Sequence, residues 1–109
     1  MTAPSPTTRG PLSGPTGRRV LEHRDALVAL LQSRGVTNVQ VFGSAARGDD
    51  RVGSDLDLLV DLSPGTDLFD LVRMKADVEQ LLGVNVDLVP REGLKERVLR
   101  TATADLVAL

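Results

Sequence analysis

Residues 42–62 read FGSAARGDDRVGSDLDLLVDL, and this stretch decides how the rest of the chain is interpreted. It begins at the end of an alternating apolar segment, passes through a Gly-Ser turn and a polar loop, and ends in a second alternating run. Side chains two residues apart on a strand point to the same side. Leu56, Leu58 and Val60 therefore share one face of that run, while Asp55 and Asp57 lie on the other.

The flanking segments extend this stretch into an α/β pattern. Apolar side chains recur at helical spacing in three segments and alternate in three others. The predicted helices are 18–34, 67–82 with Asp67 as N-cap, and 94 to about 105. The predicted strands are 36–42, 55–62 and 84–89. This order predicts an α/β fold with a small mixed β-sheet and helices packed on it.

Composition limits the classes of function. The 109 residues fit one domain, and residues 1–16 are rich in Pro, Gly, Ser and Thr, which predicts a disordered leader before a domain at 17–109. The absence of cysteine excludes disulfides and thiolate metal sites. With 13 basic and 15 acidic residues, no direct nucleic-acid binding is expected. No apolar run has the length of a signal peptide or membrane span, so we expect no membrane association and a cytoplasmic location.

Asp55 and Asp57 form the first candidate site. Two residues apart on a strand, they lie about 6.6 Å apart on one face. Carboxylates at that separation can share Mg²⁺, which prefers oxygen ligands together with substrate phosphates. Without a cation the pair is a costly like-charge arrangement. Asp87, on the third predicted strand, reaches the same ions if that strand pairs beside the second.

Gly43 and Ser44 form the second candidate site, a phosphate-binding turn. Glycine allows close backbone approach, N–H groups at the start of a helical turn attract an anion, and a serine hydroxyl adds a donor. Arg47 follows one turn later and can neutralise triphosphate charge. The simplest interpretation of Asp49, Asp50 and Arg51 is a solvated loop.

The pattern of G-S, ten residues, D-x-D and a later strand-borne Asp resembles the minimal nucleotidyltransferase (MNT) family of the DNA polymerase β-like superfamily. Residues 42–62 and the segment VNVDLVP at 84–90 bear the resemblance. It implies a nucleotidyltransferase core in which Asp55, Asp57 and Asp87 bind two Mg²⁺ ions and act as the catalytic carboxylates. Gly43, Ser44 and Arg47 then bind the nucleotide, with ATP as substrate.

The resemblance also implies a partner. Many such proteins are antitoxins of a toxin–antitoxin pair whose toxin is a HEPN ribonuclease, and some attach AMP to a tyrosine of that toxin. The chain contains no Tyr, so a tyrosine acceptor lies on another molecule. Two alternatives stay open. One is a binding module that neutralises a toxin by contact alone, and the other is nucleotidyl transfer to a small molecule.

Overall fold

The fold is a mixed sheet with helices packed on one face. The structure, a computed structural model, describes residues 10–93 and 106–109. Its elements follow in chain order: α1 (Pro15–Glu22), α2 (Arg24–Ser33), β1 (Thr37–Phe42), α3 (Gly43–Arg47), β2 (Leu56–Asp61), α4 (Leu68–Leu82), β3 (Val86–Pro90) and β4 (Val107–Ala108). A 3₁₀ turn at Arg91–Gly93 follows β3.

The sheet has four strands in the order β3-β2-β1-β4. Strand β1 pairs antiparallel with both β2 and β4, whereas β2 and β3 are parallel. Helix α4 makes the crossover that a parallel pair requires. The predicted α/β fold with a small mixed sheet is confirmed.

The two faces of β2 differ in burial. Leu56, Leu58 and Val60 are fully buried in one apolar cluster, together with side chains of α1, α2 and α4. On the opposite face Asp57 and Asp61 are half-buried. Leu59 lies on this second face and is also fully buried, with Gln40 and Val89 as its register partners. The helices therefore cover one face and leave the carboxylates on the other.

Helix α4 has the ends that the sequence predicts. The Asp67 carboxylate accepts a hydrogen bond from the Asp70 N–H at 2.8 Å, and the Asp70 carboxylate accepts one from the Asp67 N–H at 3.2 Å. This reciprocal capping box satisfies N–H groups that a helix start leaves unpaired. Gly83 ends the helix in the left-handed region with φ of 69°.

The helix predicted over 18–34 is two helices in the structure. The first begins earlier, at Pro15, in the first helical turn where proline is favoured. The break falls at His23, which is the C-cap residue of α1 and the N-cap residue of α2. The break allows α1 to contact α3 while α2 packs on β1 and α4. These tertiary contacts, which local periodicity does not contain, account for the difference.

Residues 10–16 belong to the segment predicted as a disordered leader, and in the structure they pack against the rest of the fold. Leu12 is 3% exposed and Thr16 is 2% exposed, and α1 already begins at Pro15. The composition of this segment is poor in apolar residues, but Leu12 gains its burial from α3, which is distant in sequence. Residues 1–9 lie outside the described part of the chain.

The end of the chain adds a strand that the sequence analysis does not predict. The Leu109 N–H donates to the Val39 carbonyl at 3.0 Å, which continues the β4–β1 pairing. The final helix predicted over 94–105 falls outside the described residues. Within residues 10–93 and 106–109, no helix is both long and apolar enough to cross a membrane.

Candidate active site

Asp57 and Asp87 are direct register partners on neighbouring parallel strands. Adjacent strands lie about 4.8 Å apart, and partners in register point to the same face. The two carboxylates therefore lie side by side. The expected pairing of the second and third strands is confirmed, and Asp55 stands two residues before Asp57, immediately ahead of β2.

Gly43 lies directly against Asp57. The register pairs Phe42 with Asp57, so the turn that follows Phe42 begins beside the carboxylate. Gly43 has φ of 73°, and a Cβ atom there would collide with Asp57 Oδ2. Glycine is required here both for the left-handed backbone and for the close approach. The predicted phosphate-binding turn and the predicted carboxylates thus meet at one place.

Burial and the neighbouring carboxylates disfavour the ionised form of Asp57. Burial raises the pKa of the Asp57 carboxyl above its ordinary value, and the negative charges of Asp87 and Asp55 raise it further, against an opposing effect of Arg47. Like charges within a few ångströms stabilise the protonated form. The group therefore has an excess of negative charge that a bound cation would neutralise.

Ser44 and Arg47 both belong to α3, which begins at Gly43. Ser44 occupies the first turn and is half-exposed, and Phe42, the N-cap residue, supplies no side-chain hydrogen bond. Arg47 ends the helix, and its Nε donates to Asp49 Oδ2 at 3.1 Å. Its charge acts on Asp57. The N–H groups at the start of α3 and the Arg47 charge are both suited to binding phosphate oxygens.

The donor set fits a hard divalent cation. Three carboxylates, two of them register partners, supply the oxygen ligands that Mg²⁺ prefers. Among residues 10–93 and 106–109, no three His, Asp or Glu side chains are already gathered at metal-binding distance.

A comparison with known protein families identifies the family of this chain. The model of the nucleotidyltransferase domain family matches residues 21–109. The chain belongs to the nucleotidyltransferase domain family. The expected resemblance to minimal nucleotidyltransferases and the expected enzyme class are confirmed.

Two relatives and one solved structure are similar over most of the chain. The protein adenylyltransferase MntA of Thermococcus cleftensis is 37% identical over 67% of this chain and 74% of its own length. A candidate protein adenylyltransferase of Methanocaldococcus jannaschii is 36% identical over 74% of this chain and 91% of its own. A solved structure of a candidate minimal nucleotidyltransferase is 40% identical, with a TM-score of 0.77, over 84% of this chain and 94% of its own.

More distant solved structures share the fold. A toxin–antitoxin complex with AMP-PNP has a TM-score of 0.69 at 19% identity, over 77% of this chain and 69% of its own. A complex of a tri-AMPylated HEPN toxin with an MNT antitoxin from Shewanella oneidensis has a TM-score of 0.64 at 16% identity, over 81% of this chain and 69% of its own.

Asp50 is a residue that sequence reasoning missed. Instead of lying in a solvated loop, it is 6% exposed. Its Oδ2 accepts hydrogen bonds from the Thr16 N–H at 2.6 Å and the Gly17 N–H at 3.2 Å. The capped helix lies more than thirty residues earlier in the chain, so no local signal identifies this role.

Two further surfaces were not expected. Leu68 and Phe69 are 71% and 73% exposed on α4, beside Val72 at 57%. A cleft of about 480 Å³ lies between the start of α1, residues 52–54 and the end of α4, and it does not include the carboxylates. The residues that line this cleft do not include Gly43, Asp57 or Asp87.

Proposed function

We propose that the chain transfers AMP from ATP to a partner protein, a HEPN-type toxin, in a Mg²⁺-dependent reaction, and that it thereby acts as an antitoxin. The observation that supports this most strongly is the contact of the Gly43 turn with a register pair of aspartates. A chain similar to this one is named protein adenylyltransferase MntA. Use of ATP agrees with the cytoplasmic location expected from the sequence.

The proposed roles divide between carboxylates and turn. Asp55, Asp57 and Asp87 would hold two Mg²⁺ ions. Gly43 and Ser44 bind the phosphates through N–H groups and the serine hydroxyl, and Arg47 adds positive charge one helical turn later. When bound, Mg²⁺ supplies charge neutralisation for the triphosphate and polarises the phosphoryl oxygens.

The reaction is an in-line displacement. The oxygen of an acceptor hydroxyl forms a bond to the α-phosphorus, the bond from that phosphorus to the bridging oxygen breaks, and pyrophosphate leaves. Asp87 is exposed on the open face of the sheet. Its carboxylate can accept the hydroxyl proton as the new bond forms. A tyrosine acceptor must come from the partner, since the chain has no Tyr.

The test uses ATP labelled at either the α or the γ phosphate, with Mg²⁺, this protein and a purified HEPN-type protein of the same source. We expect the α label, and not the γ label, to appear on the partner. Asp55→Asn should abolish labelling, while Asp61→Asn, on the same face of the sheet, should retain it. Labelling that persists in Asp55→Asn would overturn the site assignment, and absence of label with the wild type would overturn the proposed activity.

A second candidate function is neutralisation by contact alone. It is favoured by the exposed apolar group of Leu68, Phe69 and Val72 on α4, because large apolar groups on a surface are typical of protein interfaces. The double variant Asp55→Asn/Asp57→Asn separates the two functions. Full neutralisation of the toxin by this variant would favour contact, and loss of neutralisation with retained binding would favour AMP transfer.

A further inference from the structure

Residues 10–17 form a strap, here called the N-terminal strap, that contacts the segment between Ser44 and Asp55 at successive points. The Leu12 N–H donates to the Ala45 carbonyl at 3.2 Å. A Cβ atom on Gly48 would collide with the Gly10 carbonyl and lie 2.6 Å from Ser13 Oγ. The family match begins at residue 21, so the strap precedes the part of the chain that defines the family.

The strap is held by Asp50. Helix α1 begins after Gly14, which has no side chain to cap it. Asp50 belongs to the loop between α3 and β2, residues 48–55. Its carboxylate replaces the missing cap by accepting hydrogen bonds from both the Thr16 N–H and the Gly17 N–H. A carboxylate at a helix N-terminus binds unpaired N–H groups and interacts favourably with the helix dipole.

The start of α1 packs closely against Asp50 and against Leu12. A Cβ atom on Gly14 would collide with Asp50 Oδ1, and one on Gly17 would lie 2.5 Å from the Leu12 Cα. Leu12 itself adopts φ of 58°, a strained value for leucine that persists only where surrounding contacts determine it. Asp50 Oδ1 is buried and accepts no hydrogen bond within the described residues. A buried carboxylate with one oxygen unsatisfied is costly, so local stability alone does not explain its presence.

We propose that Asp50 is a positioning residue for nucleotide binding. By capping α1 from the loop, it holds the loop against the N-terminal strap and thereby sets where Ser44 lies relative to Asp55. The inference rests on the proposed function, since it concerns the same phosphate and cation site. It adds to that site a residue that touches neither the nucleotide nor the cations.

Asp67 provides a matched control. It caps α4 through the same chemistry, a carboxylate that accepts an N–H at 2.8 Å, but its reciprocal hydrogen bonds join residues only three apart and tie no distant segment to the helix. Asp50→Ala and Asp67→Ala should therefore both lower the melting temperature. Only Asp50→Ala should also weaken binding of ATP in the presence of Mg²⁺, by tenfold or more, when measured by calorimetry well below the melting temperature. Asp50→Asn, which retains an acceptor oxygen, should recover most of the affinity.

The outcomes separate the two proposals. A wild-type chain that does not bind ATP with Mg²⁺ would overturn the proposed function and this inference with it. Binding by the wild type and equal binding, within twofold, by Asp50→Ala would overturn the inference alone, as would equal weakening by Asp67→Ala. If Asp50→Ala does not fold, Gly14→Ala decides. Its Cβ would collide with the Asp50 carboxyl group and push it away from the start of α1 while the aspartate itself is retained. A loss of threefold or more supports the inference, and unchanged affinity overturns it.

Discussion

The two ends of the open face of β2 carry the same residue type in opposite surroundings. At the start of the strand, Asp57 lies beside Asp87 and near Asp55, and its pKa is raised by burial and by those charges. At the end, Asp61 accepts hydrogen bonds from Asn38 at 2.8 Å and Arg91 at 2.9 Å. The Asn38 hydrogen bond lowers the pKa of Asp61, against a smaller opposing effect of burial, and the hydrogen bond and charge of Arg91 lower it further.

The difference separates the carboxylate that we propose as a cation ligand, Asp57, from one with a structural role, Asp61. The charge of Asp61 is neutralised within the chain by Arg91, which donates a hydrogen bond to its carboxylate. Arg91 also donates to Gln40, so this side chain, which follows β3, connects to β2 and β1. Asp57 lies near two further carboxylates and against Gly43, the first residue of α3. An arrangement that is unfavourable in the free protein is typical of a site completed by a ligand.

The largest expected effect is on catalysis. Asp57→Asn should lower AMP transfer about a thousandfold, because the proposed cation ligand that it removes would contribute several kcal/mol of transition-state stabilisation. Asp61→Asn makes the same change four residues along the same strand face and should leave the rate within about threefold. Initial rates with α-labelled ATP measure both. Equal losses in the two variants would mean that the two ends do not differ in function.

Gly43→Ala should weaken ATP binding about tenfold or more. The left-handed backbone costs a non-glycine residue about 1–2 kcal/mol, and the new methyl group also displaces the Asp57 carboxylate. Gly65→Ala is the control, because Gly65 has φ of 87° with no atom near the added Cβ. It should lose similar stability and no affinity, as judged by calorimetry and thermal melting. Similar affinity losses in both would attribute the effect to backbone strain alone.

The stability of the unliganded protein should change in opposite directions at the two ends, in each case by less than about 1 kcal/mol. A raised pKa means that ionisation of Asp57 destabilises the fold. The stability that the protonated carboxyl group provides is therefore lost as pH rises from the ordinary value through the folded-state pKa. Asp57→Asn should therefore be more stable than wild type at pH 7, with the difference disappearing below the ordinary pKa of 3.8.

Asp61 has the reverse sign. Its lowered pKa means that ionised Asp61 stabilises the fold. This stabilisation is fully present above the ordinary pKa of 3.8 and is lost as pH falls through the folded-state pKa. Asp61→Asn should therefore be less stable than wild type at pH 7 and converge with it in acid. Urea unfolding at several pH values measures both variants without Mg²⁺. Shifts of the same sign would contradict the comparison.

The smallest expected effect concerns Arg91. Arg91→Lys should lower the free energy of unfolding by less than about 1 kcal/mol, because a lysine cannot reach the Asp61 carboxylate and Gln40 with one planar group. AMP transfer should be unchanged. A loss of transfer comparable to that of Asp57→Asn would assign this end of the face to the active site as well.

Much of the fold was predictable because its signals are local. Alternation in the D-x-D strand, the capping box at Asp67 and Asp70, and Gly83 after the helix each depend on neighbouring residues. The predictions failed where burial comes from distant segments. Leu12 is buried against α3, α1 separates from α2 to reach the loop, and Phe69 remains exposed although it lies among apolar residues.

By itself the sequence determined the chemistry available to this protein: three aspartates at strand positions, a Gly-Ser turn and an arginine one turn later. Spacing within a strand or helix is fixed by backbone geometry, so residue types and local faces can be determined from it. Only the tertiary structure decided which aspartates meet, because register between strands sets Asp57 beside Asp87 and Gly43. It also decided that Asp50 caps a helix more than thirty residues away, a contact that only chain folding brings within hydrogen-bond distance.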